Sequence, residues 1–423
     1  MKKLLYITPE FPPSNALGSR RALNIVRHIG RDDWQPVVLT STVSELRNDP
    51  QLESLVPDNL LLYRQFNRRQ AVKPVHTGKK KKKPSPLARW LEQRGPYYIP
   101  FDEHMWNLPH AFRISRQLVR KHRPDLILVN ADPWSGLLLG HKLSKWSGIP
   151  WIADLRDPWS LHAFKMQLRP AIIRSVIRYY ESMFFHSASR VVLNSQQCCE
   201  AYRAHFAGSI DSSHLTWIRN AFDRGIYRPP TGTTQNRIFS LHYFGSFRIY
   251  ADPDPLFQLL SAFIRKHNLS PAEIELVLYG EQRPRDMNLA AETGLHDYIR
   301  ICPSVSVRDA MINLETASLL MLVEGPNRKL QLPVKLYDYL ACGKPILALS
   351  DNPELNMILH TTSSGLVADY HNLQDGVDKL DQLYSGAADG QLHFISGEIE
   401  NYAVDQQIRD FTRLFNEVLE DDL

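Results

Sequence analysis

Cysteine is scarce in this chain: Cys198, Cys199, Cys302 and Cys342 are the only four in 423 residues. Two are adjacent and none has C-x-x-C or metal-type spacing, which argues against a disulfide framework and a cysteine metal centre. Long apolar runs are missing as well. No stretch of 18 or more apolar residues occurs, so no spanning helix is expected. The opening MKKLLYITPEFPP has an apolar run of only about five residues before Pro9, short of the roughly 7–15 of a secretory signal. A cytoplasmic protein is expected. A G-x-G-x-x-G fingerprint is also absent, which argues against an ordinary dinucleotide enzyme.

What is present is an ordinary globular composition, 43% hydrophobic and 22% charged, in a chain long enough for more than one domain. The net charge is +5, but it is not spread evenly. Arg64 to Arg94 holds eleven Lys/Arg against one acid, Glu92. That segment is therefore +10, and +5 minus +10 leaves −5 for the rest. The basicity is one local patch.

Apolar runs alternate with helical stretches. LLYIT (4–8), PVVLT (36–40), LILVN (126–130), WIADL (151–155), RVVLNS (190–195) and a final TWI form a first series of strands. SLHYFG (240–245), IELVLYG (274–280), LLMLV (319–323) and PILALS (345–350) form a second. Continuous apolar strands between helices predict parallel sheets covered on both faces. The expected architecture is α/β, with two Rossmann-like doubly wound domains facing across a cleft. The boundaries are an N-terminal domain over 1–222 with a basic insertion at about 64–100, a linker at 223–236, and a C-terminal domain over 237–402. A C-terminal helix over 403–423 carries Ile408, Phe411, Phe415 and Leu419 at helical spacing, and this face suits either domain.

In open parallel sheets, ligands bind beyond the carboxyl ends of the strands. The polar residues gather there. After the first strand, Gly18 allows close backbone approach, Ser19 opens a helix, and Arg20 and Arg21 add charge beside an anion-favouring N-terminus. A plain loop with Ser19 as N-cap fits equally well. After WIA come Asp154, Arg156 and Asp157; an active-site role for Asp157 competes with a structural pairing of Asp154 and Arg156. After SLHYF come Gly245, Ser246 and Arg248, a set that suits a diphosphate. The alternative is a helix N-cap with a surface arginine.

In VKLYDYLACGKPILALS, Pro333 suits the first helical turn, Leu336 and Leu340 face the core, and Gly343 suits the C-cap. Lys335 falls in the first turn, where acids are normally preferred, and Asp338 lies three residues on. Lys335 is placed to meet phosphate, and Asp338 to accept sugar or ribose hydroxyls. A surface ion pair worth under ~1 kcal/mol is the bland alternative. Asp252-Pro253-Asp254 mimics a metal motif but reads as a helix cap.

In order and spacing, ITPEFPPSNALGSRRA, DLILVNADPWSG, IADLRDPWS, ASRVVLNS, WIRNAFD, HYFGSF, VLYG and LPVKLYDYLACGKPILAL together resemble the GT-B glycosyltransferases, most closely the retaining family-4 enzymes. The likeness runs through nearly the whole chain. It implies a retaining hexosyltransferase-type enzyme that moves a sugar from a nucleotide-sugar donor to a glycan or lipid-linked acceptor in cell-surface polysaccharide synthesis. It implies no metal or other cofactor. By the same resemblance, Gly18, Ser19, Gly245, Ser246 and Asp338 bind donor. Arg248 and Lys335 act on its phosphates, and Asp157 orients or deprotonates the acceptor hydroxyl. Ala221 replaces the glycine of the interdomain I-x-N-G-h-D motif. Asp338 matches the second acid of E-x7-E, but the first acid's position is Leu330, and Glu324 is out of register. Two alternatives keep the fold: a sugar-nucleotide epimerase, and a non-catalytic scaffold at a membrane.

Lys79, Lys80, Lys81, Lys82 and Lys83 repel one another and read either as a solvated loop or as a contact for an anionic membrane. Trp90 could insert at such an interface, and Arg20 would add to the acceptor side. No nucleic-acid recognition module is evident. The expected location is cytoplasmic, at the inner face of a membrane.

Overall fold

A computed structural model of the chain describes residues 1–42, 49–67, 95–131, 133–226, 238–247, 251–303, 307–388 and 397–421. The chain divides into two compact units, Met1–Arg219 with Ile408–Leu423, and Asn220–Gln407.

The first unit is built on a seven-stranded sheet ordered β3-β2-β1-β4-β5-β6-β7. Its strands are β1 (Lys2–Ile7), β2 (Trp34–Leu39), β3 (Leu61–Tyr63), β4 (Leu126–Ala131), β5 (Trp151–Leu155), β6 (Arg190–Leu193) and β7 (Leu215–Trp217). Every pairing is parallel, as in Leu5↔Ile127 and Asn130↔Asp154. β4 and β5 are buried at every position, which is what helices on both faces require of a central strand. The helix Ser135–Ser147 shows how closely its cover packs. A Cβ on Gly140 would lie 2.6 Å from Val129 of β4 and 2.8 Å from the Trp151 ring of β5. The terminal helix Val404–Asp421 belongs to this unit from Ile408 onwards, where Phe415 meets Trp34 edge-on at 5.3 Å.

The second unit has a six-stranded parallel sheet ordered β10-β9-β8-β11-β12-β13. These are β8 (Phe239–Phe244), β9 (Ile274–Tyr279), β10 (Ile299–Cys302), β11 (Leu319–Val323), β12 (Ile346–Leu349) and β13 (Gly365–Ala368). The helix Asp254–His267 buries Leu256, Phe257, Leu260 and Phe263 in a core that includes Leu241, Leu276, Met321 and Leu347. On the other face, the helix Val334–Cys342 buries Leu336 and Leu340 with Leu320, Leu322 and Ala348. Both sheets are Rossmann-like, with the order reversing beside β1 and beside β8. β3, β10 and β13 were not apparent as apolar runs in the sequence. All three are edge strands of three or four residues with mostly half-exposed positions.

Among the described residues, no helix is long and apolar enough to cross a membrane.

Candidate functional site

In the first unit, the ends of β1, β4 and β5 gather charge. Asp154, inside β5, has no exposed surface. Arg21, from the helix Leu17–His28, grips it with two bonds, Nε to Oδ2 at 2.9 Å and Nη2 to Oδ1 at 2.7 Å. Asn130 of β4 adds a bond to Oδ2 at 3.0 Å, and Arg21 Nη1 donates to the Arg219 carbonyl at 3.0 Å. Both carboxylate oxygens are thus satisfied, as a buried ion pair requires. The adjoining Tyr6 hydroxyl is held far above its usual range, first by burial and then by the Asp154 charge. Asp154 is therefore a structural anion.

Arg156 does not pair with Asp154. It reaches Glu10, in the loop after β1, at 2.9 Å. Gly18 packs directly on that pair, within the first turn of a helix whose N-cap is Ala16. A Cβ there would come to 2.5 Å from Arg156 Cζ and from Glu10 Oε2, so a side chain is excluded. Ser19 is not the N-cap. It is fully buried inside the helix, and its Oγ has no hydrogen-bond partner. Arg20 is half-buried beside it.

Asp157 stands half-buried in the turn after β5. The Trp159 ring of that turn is stacked on Trp134, which follows β4, at 5.4 Å and 9°. A cavity of about 830 Å³ opens elsewhere, at the β3 edge, lined by Tyr63, Arg64, Asn67, His110 and Arg113 among others. None of the charges at the β4 and β5 ends lines it.

In the second unit, β8 ends at Gly245 and its neighbour β9 at Gly280, with φ of 112° and 113°. Side chains are strained in that region, so both strands end on the residue that permits the turn. Lys335 lies against Gly245: its Cε and Nζ would each be 3.2 Å from a Cβ placed there. Its ammonium sits 4.0 Å from the centre of the Tyr243 ring, and that ring is stacked on Phe247 at 4.4 Å. Lys335 is thus stationed over the β8 turn at the first turn of the helix Val334–Cys342. That turn has no acid and no side-chain cap, so its N–H groups and the cation favour an anion together. Tyr339 ties the helix to the sheet, its hydroxyl accepting from Phe244 N at 3.2 Å and donating to the Met321 carbonyl at 3.3 Å. Asp338 is half-buried one turn along.

Glu324 begins the connection directly after β11. It is buried and paired to Arg328 at 2.9 Å, while Leu330 lies half-buried further along. Asn352 braces this connection by donating to the Arg328 and Gln331 carbonyls. Asp252 accepts from Asp254 N at 3.3 Å, but the N-cap of the helix Asp254–His267 is Pro253 and no side chain caps it, so the aspartate cap expected there is not formed.

Residues 18–225, which contain Gly18, Asp154 and Asp157, match Glycosyltransferase Family 4. The fold is GT-B, and the family match lies within the first part of the chain. Solved structures similar to it share the whole architecture at low identity. Sucrose-phosphate synthase from Thermosynechococcus elongatus has a TM-score of 0.69 at 14% identity, covering 100% of both chains. Anabaena HepE in complex with UDP and glucose has 0.63 at 14%, covering 98% of this chain and 100% of its own. A putative UDP-N-acetylglucosamine 2-epimerase from Listeria monocytogenes has 0.59 at 12%, covering 100% and 98%. The sequence matches no curated protein.

Of the residues singled out from the sequence, the second unit brings together Gly245, Ser246 and Lys335, with Asp338 on the same helix. The first unit gathers Gly18, Ser19 and Arg20 on one helix and holds Asp157 on the β5 turn. Arg248, Lys79, Lys80, Lys81, Lys82, Lys83 and Trp90 lie outside the described residues. Sequence reasoning missed the Tyr243 ring beneath Lys335 and the Glu10–Arg156 pair beneath Gly18. The first had a visible signal, an aromatic next to last in a strand that ends on glycine. The second had none, because the partners are 146 positions apart by their numbers.

Proposed function

We propose that the protein is a glycosyltransferase that moves a sugar from a nucleotide-sugar donor to a glycan or lipid-linked acceptor with retention of configuration, in cell-surface polysaccharide synthesis. The observation that carries this reading is the station of Lys335 against Gly245, at an uncapped helix N-terminus. Breaking the donor's glycosidic bond builds negative charge on the β-phosphate. A fixed ammonium and oriented N–H groups stabilise that charge without reorganising, and no metal is needed for it. Gly245 and Ser246 lie along the diphosphate, and Asp338 accepts sugar or ribose hydroxyls. Arg248 would add a second cation. HepE, of the same fold, has been solved with UDP-glucose, which supports a nucleotide-sugar as the first class to test.

On the acceptor side, Asp157 orients or deprotonates the attacking hydroxyl, which approaches the face the leaving group vacates. No protein nucleophile is then required. In the first unit, Arg20 is assigned to the acceptor side; Gly18 and Ser19, read as donor residues, have only backbone to offer a ligand, since the Ser19 side chain is fully buried. The basic segment 64–94 and the exposed Ile172 (72%) and Tyr179 (67%) of the helix Ala171–Ser187 support docking at an anionic membrane.

A panel of UDP-, GDP- and dTDP-sugars, scored by thermal shift and then by nucleotide release with membrane extract, tests the reading. At least one donor should stabilise the protein and be turned over. Lys335→Ala should lower turnover by roughly 10²–10³-fold while the circular dichroism spectrum is kept. Full activity in that variant removes Lys335 from the mechanism. Donor conversion to an epimer without acceptor would replace transfer by epimerisation. Replacing Lys79 to Lys83 by serine should weaken binding to anionic liposomes; unchanged binding sinks the docking idea.

A further inference from the structure

Glu181 lies within the helix Ala171–Ser187 of the first unit and has no exposed surface. Buried carboxyls are expensive unless a partner meets each oxygen. Here both donors converge on one. Ser160 N–H donates to Oε1 at 3.0 Å, and the Tyr202 hydroxyl donates to the same atom at 2.6 Å. Oε2 has no hydrogen-bond partner. The Tyr202 hydroxyl in turn accepts from Trp159 N at 2.8 Å. Two successive backbone amides of the turn after β5 therefore end, directly or through one phenol, on a single carboxyl.

The same turn is held elsewhere. Asn194 donates its side-chain amide to the Arg156 carbonyl. The Trp159 indole is stacked between Trp134 and Phe184, with interplanar angles of 9° and 3°. Asp157 and Pro158 are the residues between these anchors. We propose that Glu181 is a positioning residue that fixes, directly at Ser160 and through Tyr202 at Trp159, the turn presenting Asp157. The proposal rests on the glycosyltransferase mechanism above only for what Asp157 then does.

The clamp has a pH limit. Burial lifts the Glu181 carboxyl from its usual range to about 7, against hydrogen bonds from Ser160 and Tyr202 that pull the other way. The titratable groups facing it come from the helix Gln196–His205. Tyr202 is held well above the ordinary phenol range by burial first and by Glu181 next, and Cys198 lies behind it. Below neutrality Glu181 is neutral and its proton sits on the partnerless Oε2. Above it, ionisation spreads a buried charge over two oxygens of which only Oε1 meets donors, and the turn loosens toward water.

The test uses the full chain with Glu181→Gln, Glu181→Ala and, to assign the signal, Trp159→Phe. Tryptophan emission of the wild type should shift with a midpoint within about a unit of pH 7. The shift should shrink in W159F and vanish in E181Q, which keeps the Oε1 acceptor and cannot ionise. E181A should show the high-pH spectrum throughout. A midpoint that survives in E181Q overturns the proposal. A second readout is UDP release from UDP-glucose with membrane extract. The wild-type kcat should fall above the same midpoint with donor KM unchanged, and E181Q should hold its kcat flat there. An E181Q profile that falls like the wild type overturns the positioning role. Wild type that releases no UDP overturns UDP-glucose as the donor instead, since the emission titration needs no substrate.

Discussion

Asp154 and Arg156 stand two residues apart with opposite charges, and each is answered by a different element. Arg21 and Asp154 are 2% and 0% exposed in their side chains, and Arg156 and Glu10 are 13% and 26%. That difference sets their worth. Asp154→Ala leaves a buried guanidinium without its carboxylate, which should cost about 3–5 kcal/mol of unfolding free energy in urea. Arg156→Ala breaks a wetter pair and should cost roughly 1 kcal/mol or less. Equal losses in the two variants would contradict the ranking. The place of Lys335 in a first helical turn was legible from the sequence because the evidence for it is local: Pro333 before it, Leu336 and Leu340 after it, Gly343 beyond. The Arg21–Asp154 pair was not, because its partners are separated by 133 positions and either residue alone looks like a surface charge. Glu181 was illegible for the same reason. Its helix reads as amphipathic, and nothing in the spacing says that its one acid points inward.

The elements that sequence periodicity recovered are those buried on both faces. β4, β5, β11 and β12 have no exposed position, and each stood out as an apolar run. β3, β10 and β13 have edges facing outward, so their composition carries no run to find. The first helix begins at Leu17, before Gly18 and Ser19, where the sequence reading opened it at Ser19. That shift turns Gly18 from a loop residue into a helical one resting on an ion pair. At β8 the strand-end glycine was legible, and its consequence can be measured. Gly245→Ala places a side chain at φ 112°, a strained region, and within 3.2 Å of the Lys335 ammonium. The strain should lower stability by about 1–3 kcal/mol, and the displaced lysine should lose donor affinity in addition. Isothermal titration with UDP-glucose checks the second effect separately from the first. Wild-type affinity in a destabilised Gly245→Ala would dissociate the turn from the donor site.

At the scale of the whole chain, the sequence leaves the first unit at Arg219 and returns to it at Ile408. The returning helix carries Phe411 and Phe415 at full burial, the first under the Arg21 guanidinium at 5.1 Å and the second against Trp34. Its apolar face was legible in the sequence, but its destination was not, because the spacing of Ile408, Phe411 and Phe415 suits any exposed core. Closing the first unit with the last helix makes its stability depend on both ends of the chain. A single free energy of unfolding is then a poor description, and two transitions are expected in calorimetry. Phe415→Ala should lower the first unit's transition, with a cost of about 3–5 kcal/mol for a buried phenylalanine. A donor held by the second unit should raise the other transition by mass action, by about 2.7 kcal/mol at a hundredfold excess over Kd. The two perturbations should therefore move different peaks. If UDP-glucose and Phe415→Ala act on the same peak, the donor belongs to the first unit, and the role given to Lys335 falls with it.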